Sequence, residues 1–156
     1  MLRFEVRSFD ALTNHQLYDL LRLRTEVFVV EQECPFQDMD GHDLHAQHLL
    51  GMEDGELVAC ARWYWDEEPD PFDPQGSKGP PAMVLGRIVT ALKVRHLGYG
   101  KRVMQEALDA LEALGRPIRM HAQARLERFY RDFGFETLGE PFDEDGIPHL
   151  LMVRDI

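Results

Sequence analysis

Residues 83–104 read MVLGRIVT (83–90), ALKV (91–94) and RHLGYGKRVM (95–104). The first segment is a short apolar and β-branched run, which is typical of a buried strand. Apolar residues then recur at helical spacing in the following part of the chain: Val103, Ala107, Leu108, Leu111 and Leu114. This stretch therefore predicts a strand, a turn and a helix in that order.

The predicted turn over residues 95–100 carries two glycines just before a helix. Glycine lets the backbone approach a ligand closely, and the unpaired N–H groups of a first helical turn favour an anion. The spacing is not that of the dinucleotide-binding fingerprint, which needs a third glycine, and no Gly-Lys-Ser/Thr closes a P-loop. Two interpretations stay open at this point, a phosphate cradle and an ordinary tight turn.

The composition predicts one domain over residues 1–156, with 44% hydrophobic residues and a single core. Lys and Arg number 17 against 28 Asp and Glu, and the net charge of −11 argues against nucleic acid or an anionic membrane as partners. An acidic surface favours cationic small molecules or basic peptides instead. We find no signal-like or membrane-spanning segment, so a cytoplasmic location is the expectation. Cys34 and Cys60 are too few for a disulfide framework and are expected to be reduced thiols.

Periodicity along the chain predicts an α/β (α+β) protein with a mixed sheet and helices on both of its faces. The predicted strands cover residues 2–7, 48–52, 57–64, 84–89, 118–123, 135–138 and 149–154. The predicted helices cover residues 14–29, with Thr13 as N-cap, the segment that contains residues 103–114, and residues 125–133. A proline-rich stretch over residues 66–81 is predicted to be a surface loop.

An acidic segment over residues 36–45 contains residue types that bind metals. The candidate ligands are Asp38, Asp40, His42, His45 and His48. Their spacing does not match a calcium loop, because the glycine comes too early and the twelfth position, Leu49, is not a glutamate. We therefore predict a solvated loop here and no metal cofactor.

Two motifs stand out in the chain: the apolar strand followed by Arg95-x-x-Gly98-x-Gly100 at the start of a helix, and FYRDFGF (129–135). Together they resemble the GNAT superfamily of N-acetyltransferases. Further segments are similar to the ElaA-type branch: RTEVFVVEQECP (24–35), QDMD (37–40), AQA (122–124) and EDGIPH (144–149). Gln123 stands where many members of the superfamily have Asn, although Gln is usual in this branch. The insertion over residues 66–81 has no counterpart that we recognise.

This resemblance implies the acetyl-CoA N-acyltransferase-like fold, in which two central parallel strands splay apart and the pantetheine arm of the co-substrate acetyl-CoA pairs with their backbone. Those strands match residues 88–90 and 120–123. The residues implied to bind acetyl-CoA are Ile88, Val89, Thr90, Arg95, His96, Leu97, Gly98, Tyr99, Gly100, Lys101, Gln123 and Arg128. The acceptor would be a primary amine of a small molecule or peptide.

Tyr130 is the implied general acid for the departing thiolate, and the alternative is a core aromatic residue of the same helix. Glu31 and His149 lead the candidates for the general base, ahead of Glu33, Asp38 and Asp40. Two other functions stay open: an enzyme like an acyl-homoserine-lactone synthase, and a CoA-binding module without catalysis. A homodimer, formed through the edge of the last strand, is a further expectation.

Overall fold

The computed structural model describes residues 1–74 and 81–155, and the helices and strands of that part follow the predicted order. The strands are β1 (Arg3–Ser8), β2 (Gln47–Glu53), β3 (Glu56–Asp66), β4 (Ala82–Thr90), β5 (Ile118–Gln123), β6 (Glu136–Glu144) and β7 (Ile147–Arg154). The α-helices are α1 (Asn14–Arg24), α2 (Tyr99–Glu112) and α3 (Glu127–Arg131). None of the helices in this part of the chain has the length and apolarity needed to cross a bilayer.

The strands form a seven-stranded sheet in the order β1-β2-β3-β4-β5-β7-β6. Antiparallel pairs join β1 with β2, β2 with β3, β5 with β7 and β6 with β7. A parallel pair joins β4 with β5, with Met83 opposite Ile118 and Val84 opposite Arg119. The predicted mixed sheet is therefore confirmed. The expectation that the last strand offers an open edge is wrong, because β7 lies between β5 and β6.

The chain divides into two compact units. The first unit contains Met1–Tyr64 and Arg87–Asp109, and the second contains Trp65–Gly86 and Ala110–Ile156. In the first unit, α1 and its continuation bury their apolar face against β2, β3 and β4. The buried residues of this cluster are Leu20, Leu23, Val27, Leu50, Leu57, Cys60 and Val89.

The first helix begins as predicted and ends differently. Thr13 accepts a hydrogen bond from the Gln16 backbone N–H, while the Gln16 side chain accepts one from the Thr13 N–H, each at 3.0 Å. This reciprocal capping box fixes the start of α1. The α-helix ends at Arg24, and the chain continues as a π-helix over Thr25–Glu31. The Thr25 hydroxyl donates to the Leu21 carbonyl at 2.8 Å, a bond that accompanies the change of helix type.

In the second unit, the segment after β3 packs closely against the protein and is not simply a surface loop. Asp70 is buried at 7% exposure, and the ring of Phe72 stacks on Phe142 with centroids 3.7 Å apart. The prediction for residues 66–81 is thus wrong at Asp70, because the sequence did not show the cationic partners of its carboxylate. Residues 75–80 of that predicted loop lie outside the described part of the chain. β6 is also longer than predicted, with a register shift between Leu138 and Phe142.

Candidate functional site

The turn before α2 has the backbone geometry of an anion-binding site. A short 3-10 helix over Leu92–Val94 leads into the turn, and the 14-residue helix α2 begins at Tyr99. His96 and Gly98 both have positive φ, 70° and 80°, which turns the chain sharply into the helix. A Cβ built on Gly98 would meet nothing within 4 Å. The first N–H groups of α2 lack helical partners, so this end of the helix suits a phosphate group.

The side chain of Arg95 has partners within the protein. Its Nε and Nη2 donate to the Thr90 carbonyl at 3.3 and 3.2 Å, and its Nη1 lies 2.6 Å from Glu31 Oε2. Three residues singled out from the sequence, Glu31, Thr90 and Arg95, are therefore in direct contact. Consequently the Thr90 carbonyl already has donors, and the charge of Glu31 is paired.

The side chains of Tyr99 and Arg102 point away from the turn. The Tyr99 hydroxyl donates to Glu53 on β2, and this hydrogen bond raises the pKa of Tyr99. Arg102 donates to the Leu2 carbonyl at 3.3 Å and lies 5.7 Å from the ring centroid of Phe4. These contacts fix the first turn of α2 to β1 and β2, and they leave its backbone as the main donor to an anion.

The acidic segment over residues 36–45 forms a network of ion pairs with three arginines that are distant in sequence. Arg24 contacts Asp38 and Asp43, each at 2.7 Å, while Arg62 contacts Asp40 at 2.5 Å and Asp43 at 2.9 Å. Arg87 completes the network through Asp38 at 2.8 Å. The prediction of a solvated loop is wrong at Asp43, which is buried against the fully buried Arg24, and it is confirmed at exposed residues such as Met39 and Leu44.

This network changes how the acids and His48 should be interpreted. Burial raises the pKa of Asp40, but the hydrogen bonds and charge of Arg62 outweigh it and hold that pKa far below its ordinary range. Asp43 is shifted downward in the same way, with Arg24 and Arg62 outweighing burial. His48 is buried, its Nε2 lies 2.9 Å from the Asp43 carbonyl, and desolvation lowers its pKa. These carboxylates are held as anions by arginines and are poorly suited to accept a proton.

Tyr130, in the second unit, is a buried aromatic residue, which is one of the two alternatives that the sequence left open. It lies on α3 with 6% exposure and packs edge-on against Phe129 and Phe135, with centroids 5.2 and 6.4 Å apart. Burial raises its pKa to about 12, against an opposing effect of Arg125. The phenol therefore keeps its proton at neutral pH, which a general acid must do.

Gln123 and His149 stand opposite each other in the register of β5 and β7. The Arg125 Nε donates to Gln123 Oε1 at 3.2 Å. His149 Nδ1 lies 2.7 Å from the Ile147 carbonyl, and its Nε2 lies 3.4 Å from Glu144. A carbonyl can only accept, so Nδ1 carries a hydrogen and the neutral ring has its lone pair on Nε2. Arg128, the remaining candidate in this unit, is exposed on α3.

A cluster around His121 in the same unit was missed by the sequence analysis. His121 Nε2 lies 2.6 Å from Asp70 and its Nδ1 lies 3.2 Å from Glu144, while Arg119 pairs with Asp66 at 2.7 Å. Burial lowers the pKa of His121, but the two carboxylates outweigh it and raise the pKa to about 9. The partners are 51 and 23 positions apart in sequence, and no local pattern indicates such pairs.

Comparison with known proteins places these features in a family. Residues 17–156 match the model of the acetyltransferase (GNAT) domain. The chain is 38% identical to protein ElaA of Escherichia coli (strain K12) over 160 residues, covering 100% of this chain and 98% of ElaA. It superposes on the crystal structure of that protein with a TM-score of 0.83 at 37% identity, covering 99% of this chain and 100% of ElaA.

Two further solved structures extend the comparison. An acyl-CoA N-acyltransferase from Pseudomonas aeruginosa is 40% identical with a TM-score of 0.84, and 99% of each chain is covered. A CoA-dependent acyl-homoserine lactone synthase is 18% identical with a TM-score of 0.77, covering 100% of this chain and 84% of that one, and this likeness shows the fold alone. With its motifs, its mixed sheet and these relatives in agreement, the chain belongs to the GNAT acetyltransferase family and has the acyl-CoA N-acyltransferase fold that the sequence predicts.

Proposed function

We propose that this protein is an acetyl-CoA-dependent N-acetyltransferase that acts on a primary amine of a small molecule or peptide. The glycine turn that opens α2 carries the proposal, because its positive φ at Gly98 and the open space beside it expose helix N–H groups to an anion. Membership of the acetyltransferase family supports acyl transfer as the reaction class. We propose further that residues 1–156 act as one catalytic domain.

The residues present fit a cofactor that carries a pyrophosphate. The backbone of residues 95–101 would hold that group, and the backbone of Ile88, Val89 and Thr90 would hold the pantetheine arm. Acetyl-CoA supplies an acetyl group activated as a thioester. Because Arg95 is paired with Glu31 and Arg102 donates to the Leu2 carbonyl, backbone N–H groups and Lys101 would be the main donors to the phosphates.

Tyr130 would act as the general acid. The amine nitrogen forms a bond to the acetyl carbon, the bond from that carbon to sulfur breaks, and the Tyr130 hydroxyl gives its proton to the departing sulfur. Burial raises the pKa of Tyr130 to about 12, so the phenol is protonated at neutral pH but is a weaker acid than an ordinary tyrosine. The tyrosinate is then reprotonated from solvent.

The amine must lose a proton, and His149 is the better supported base. Its neutral ring has a lone pair on Nε2, since Nδ1–H is directed to the Ile147 carbonyl. Glu31 is the second candidate, but its carboxylate would have to accept a proton while Arg95 lies 2.6 Å away. One oxygen of the Glu31 carboxylate therefore already accepts a hydrogen bond from Arg95.

An amine panel tests the proposed reaction. Protein mixed with acetyl-CoA and a set of small amines and peptides should release free CoA and give acetylated products detectable by mass spectrometry. Absence of turnover together with absence of acetyl-CoA binding would refute the proposal. Tight binding without turnover across the panel would favour the CoA-binding module, and lactone formation with S-adenosylmethionine would favour the acyl-homoserine-lactone synthase.

A further inference from the structure

Arg87 has a strained backbone in the middle of β4. Its φ is +49°, in the left-handed region that residues other than glycine rarely adopt, and β4 continues for three residues beyond it. The preceding residue is Gly86, yet the positive φ falls on the arginine. A strained conformation of this kind persists only where the surrounding structure holds it, and such residues are concentrated at functional sites.

The contacts of the Arg87 side chain restrain this strained backbone. Its Nη2 donates to the Asp38 carbonyl at 2.8 Å and to Asp40 Oδ2 at 3.4 Å, while its Nε lies 2.8 Å from Asp38 Oδ1 as an ion pair without a hydrogen bond. Asp38 is itself fixed by Arg24 Nε at 2.7 Å, with side-chain exposures of 7% and 1% for the two residues. The planar guanidinium is therefore bound to a rigid, buried partner and restrains the backbone that carries it.

The strained residue immediately precedes the part of β4 implied to pair with acetyl-CoA. Rotation about φ of Arg87 changes the direction in which the next peptide groups point. We propose that Arg87 and Asp38 are positioning residues, which hold the backbone of Ile88, Val89 and Thr90 in the conformation that pairs with the pantetheine arm. This proposal rests on the proposed function and adds a role for the acidic segment over residues 36–45.

Three substitutions of Arg87 separate backbone positioning from a direct role of the side chain. Glycine adopts positive φ without strain, so Arg87→Gly should keep its dissociation constant for acetyl-CoA within about threefold of wild type. Arg87→Ala must adopt the strained positive φ without the ion pairs that Arg87 makes, so we expect its affinity for acetyl-CoA to fall about tenfold. Arg87→Lys keeps the charge but loses the planar fork, so it should resemble alanine. It also keeps the comparison informative if the alanine variant does not fold.

Calorimetry measures the dissociation constants, and thermal melts verify folding. Any of three results would overturn the positioning role: an equal loss of affinity for acetyl-CoA in Arg87→Gly and Arg87→Ala, wild-type affinity in Arg87→Lys, or wild-type affinity in Arg87→Ala. Absence of binding in wild type would refute the proposed function instead.

Backbone amide NMR of the protein without acetyl-CoA is an independent readout. The signals of Val89 and Thr90, which do not adjoin the substituted residue, should stay near their wild-type positions in Arg87→Gly and move in Arg87→Ala. Unchanged signals in Arg87→Ala would show that the contact between Arg87 and Asp38 does not fix the conformation of β4, whatever the affinity for acetyl-CoA.

Discussion

The charge of His121 is expected to make the stability of this protein depend on pH above neutrality. His121 lies between Asp70 and Glu144, at 2.6 and 3.2 Å, and although burial opposes its charge, the two carboxylates raise its pKa from 6.5 to about 9. A pKa that is higher in the folded state means that the folded protein holds this proton more tightly. The resulting stabilisation is fully present below pH 6.5 and is lost as the pH rises through about 9.

The size of the effect follows from the same values. A rise of about 2.5 pH units in pKa, at about 1.4 kcal/mol per unit, sets an upper limit of about 3.5 kcal/mol. Two features reduce it. The His121 side chain is 27% exposed, so solvent screens part of the interaction, and Asp70 keeps Arg119 at 3.7 Å when His121 becomes neutral. We therefore expect a loss of about 1 to 3 kcal/mol in the free energy of unfolding.

Urea unfolding between about pH 6 and about pH 9.5 measures this loss. His121→Asn removes the titrating group, so its free energy of unfolding should change less with pH than that of wild type. His15→Asn is the matched control, because His15 is exposed on α1 and the substitution should leave the wild-type pH dependence intact. Parallel curves for wild type and His121→Asn would refute the reasoning.

Three other predictions concern the candidate site. Gly98→Glu or Gly100→Glu should abolish acetyl-CoA binding in calorimetry, because each puts a carboxylate where the backbone would face phosphate. Gly55→Glu is the control for Gly98→Glu, because Gly55 has φ +78° against +80° at Gly98 and a Cβ at either position meets nothing within 4 Å. The Gly55→Glu variant should bind acetyl-CoA normally. Tyr130→Phe should lower kcat on the order of 10²-fold with little change in KM for acetyl-CoA, and a near wild-type kcat would return Tyr130 to a packing role. EDTA should leave the melting temperature and activity unchanged, since arginines already hold the carboxylates of residues 38–43; a fall reversed by one added metal would contradict this.

The parts of the fold that sequence predicts well depend on residues close together in the chain. The capping box of Thr13 and Gln16 spans three positions, and the apolar spacing of α2 repeats within one turn. Local rules describe both features, because side chains three and four positions apart share a helix face. The strand, turn and helix around Gly98 were predicted for the same reason.

The charged clusters could not be predicted, because their partners come from separate elements. Asp38 and Asp40 resemble metal ligands in sequence, but they pair with Arg24, Arg62 and Arg87, which lie 14 to 49 positions away. Composition shows only that acids exceed bases overall. It does not show which arginines lie among the acids. In this segment the carboxylates that resemble cation ligands pair with arginines, in a network that is neutral in charge and largely buried.

Local charge around the proposed cradle illustrates the same point. In the sequence, four cationic or titratable side chains lie near the proposed cradle of an otherwise acidic protein: Arg95, His96, Lys101 and Arg102. In the structure, Arg95 is paired with Glu31, and Arg102 donates to the Leu2 carbonyl. The positive character that remains comes from the helix N–H groups and Lys101, and it is fixed by backbone geometry. For this reason the conformation of the chain from Arg87 to Gly98 has more influence on the proposed cofactor site than the number of basic residues near it.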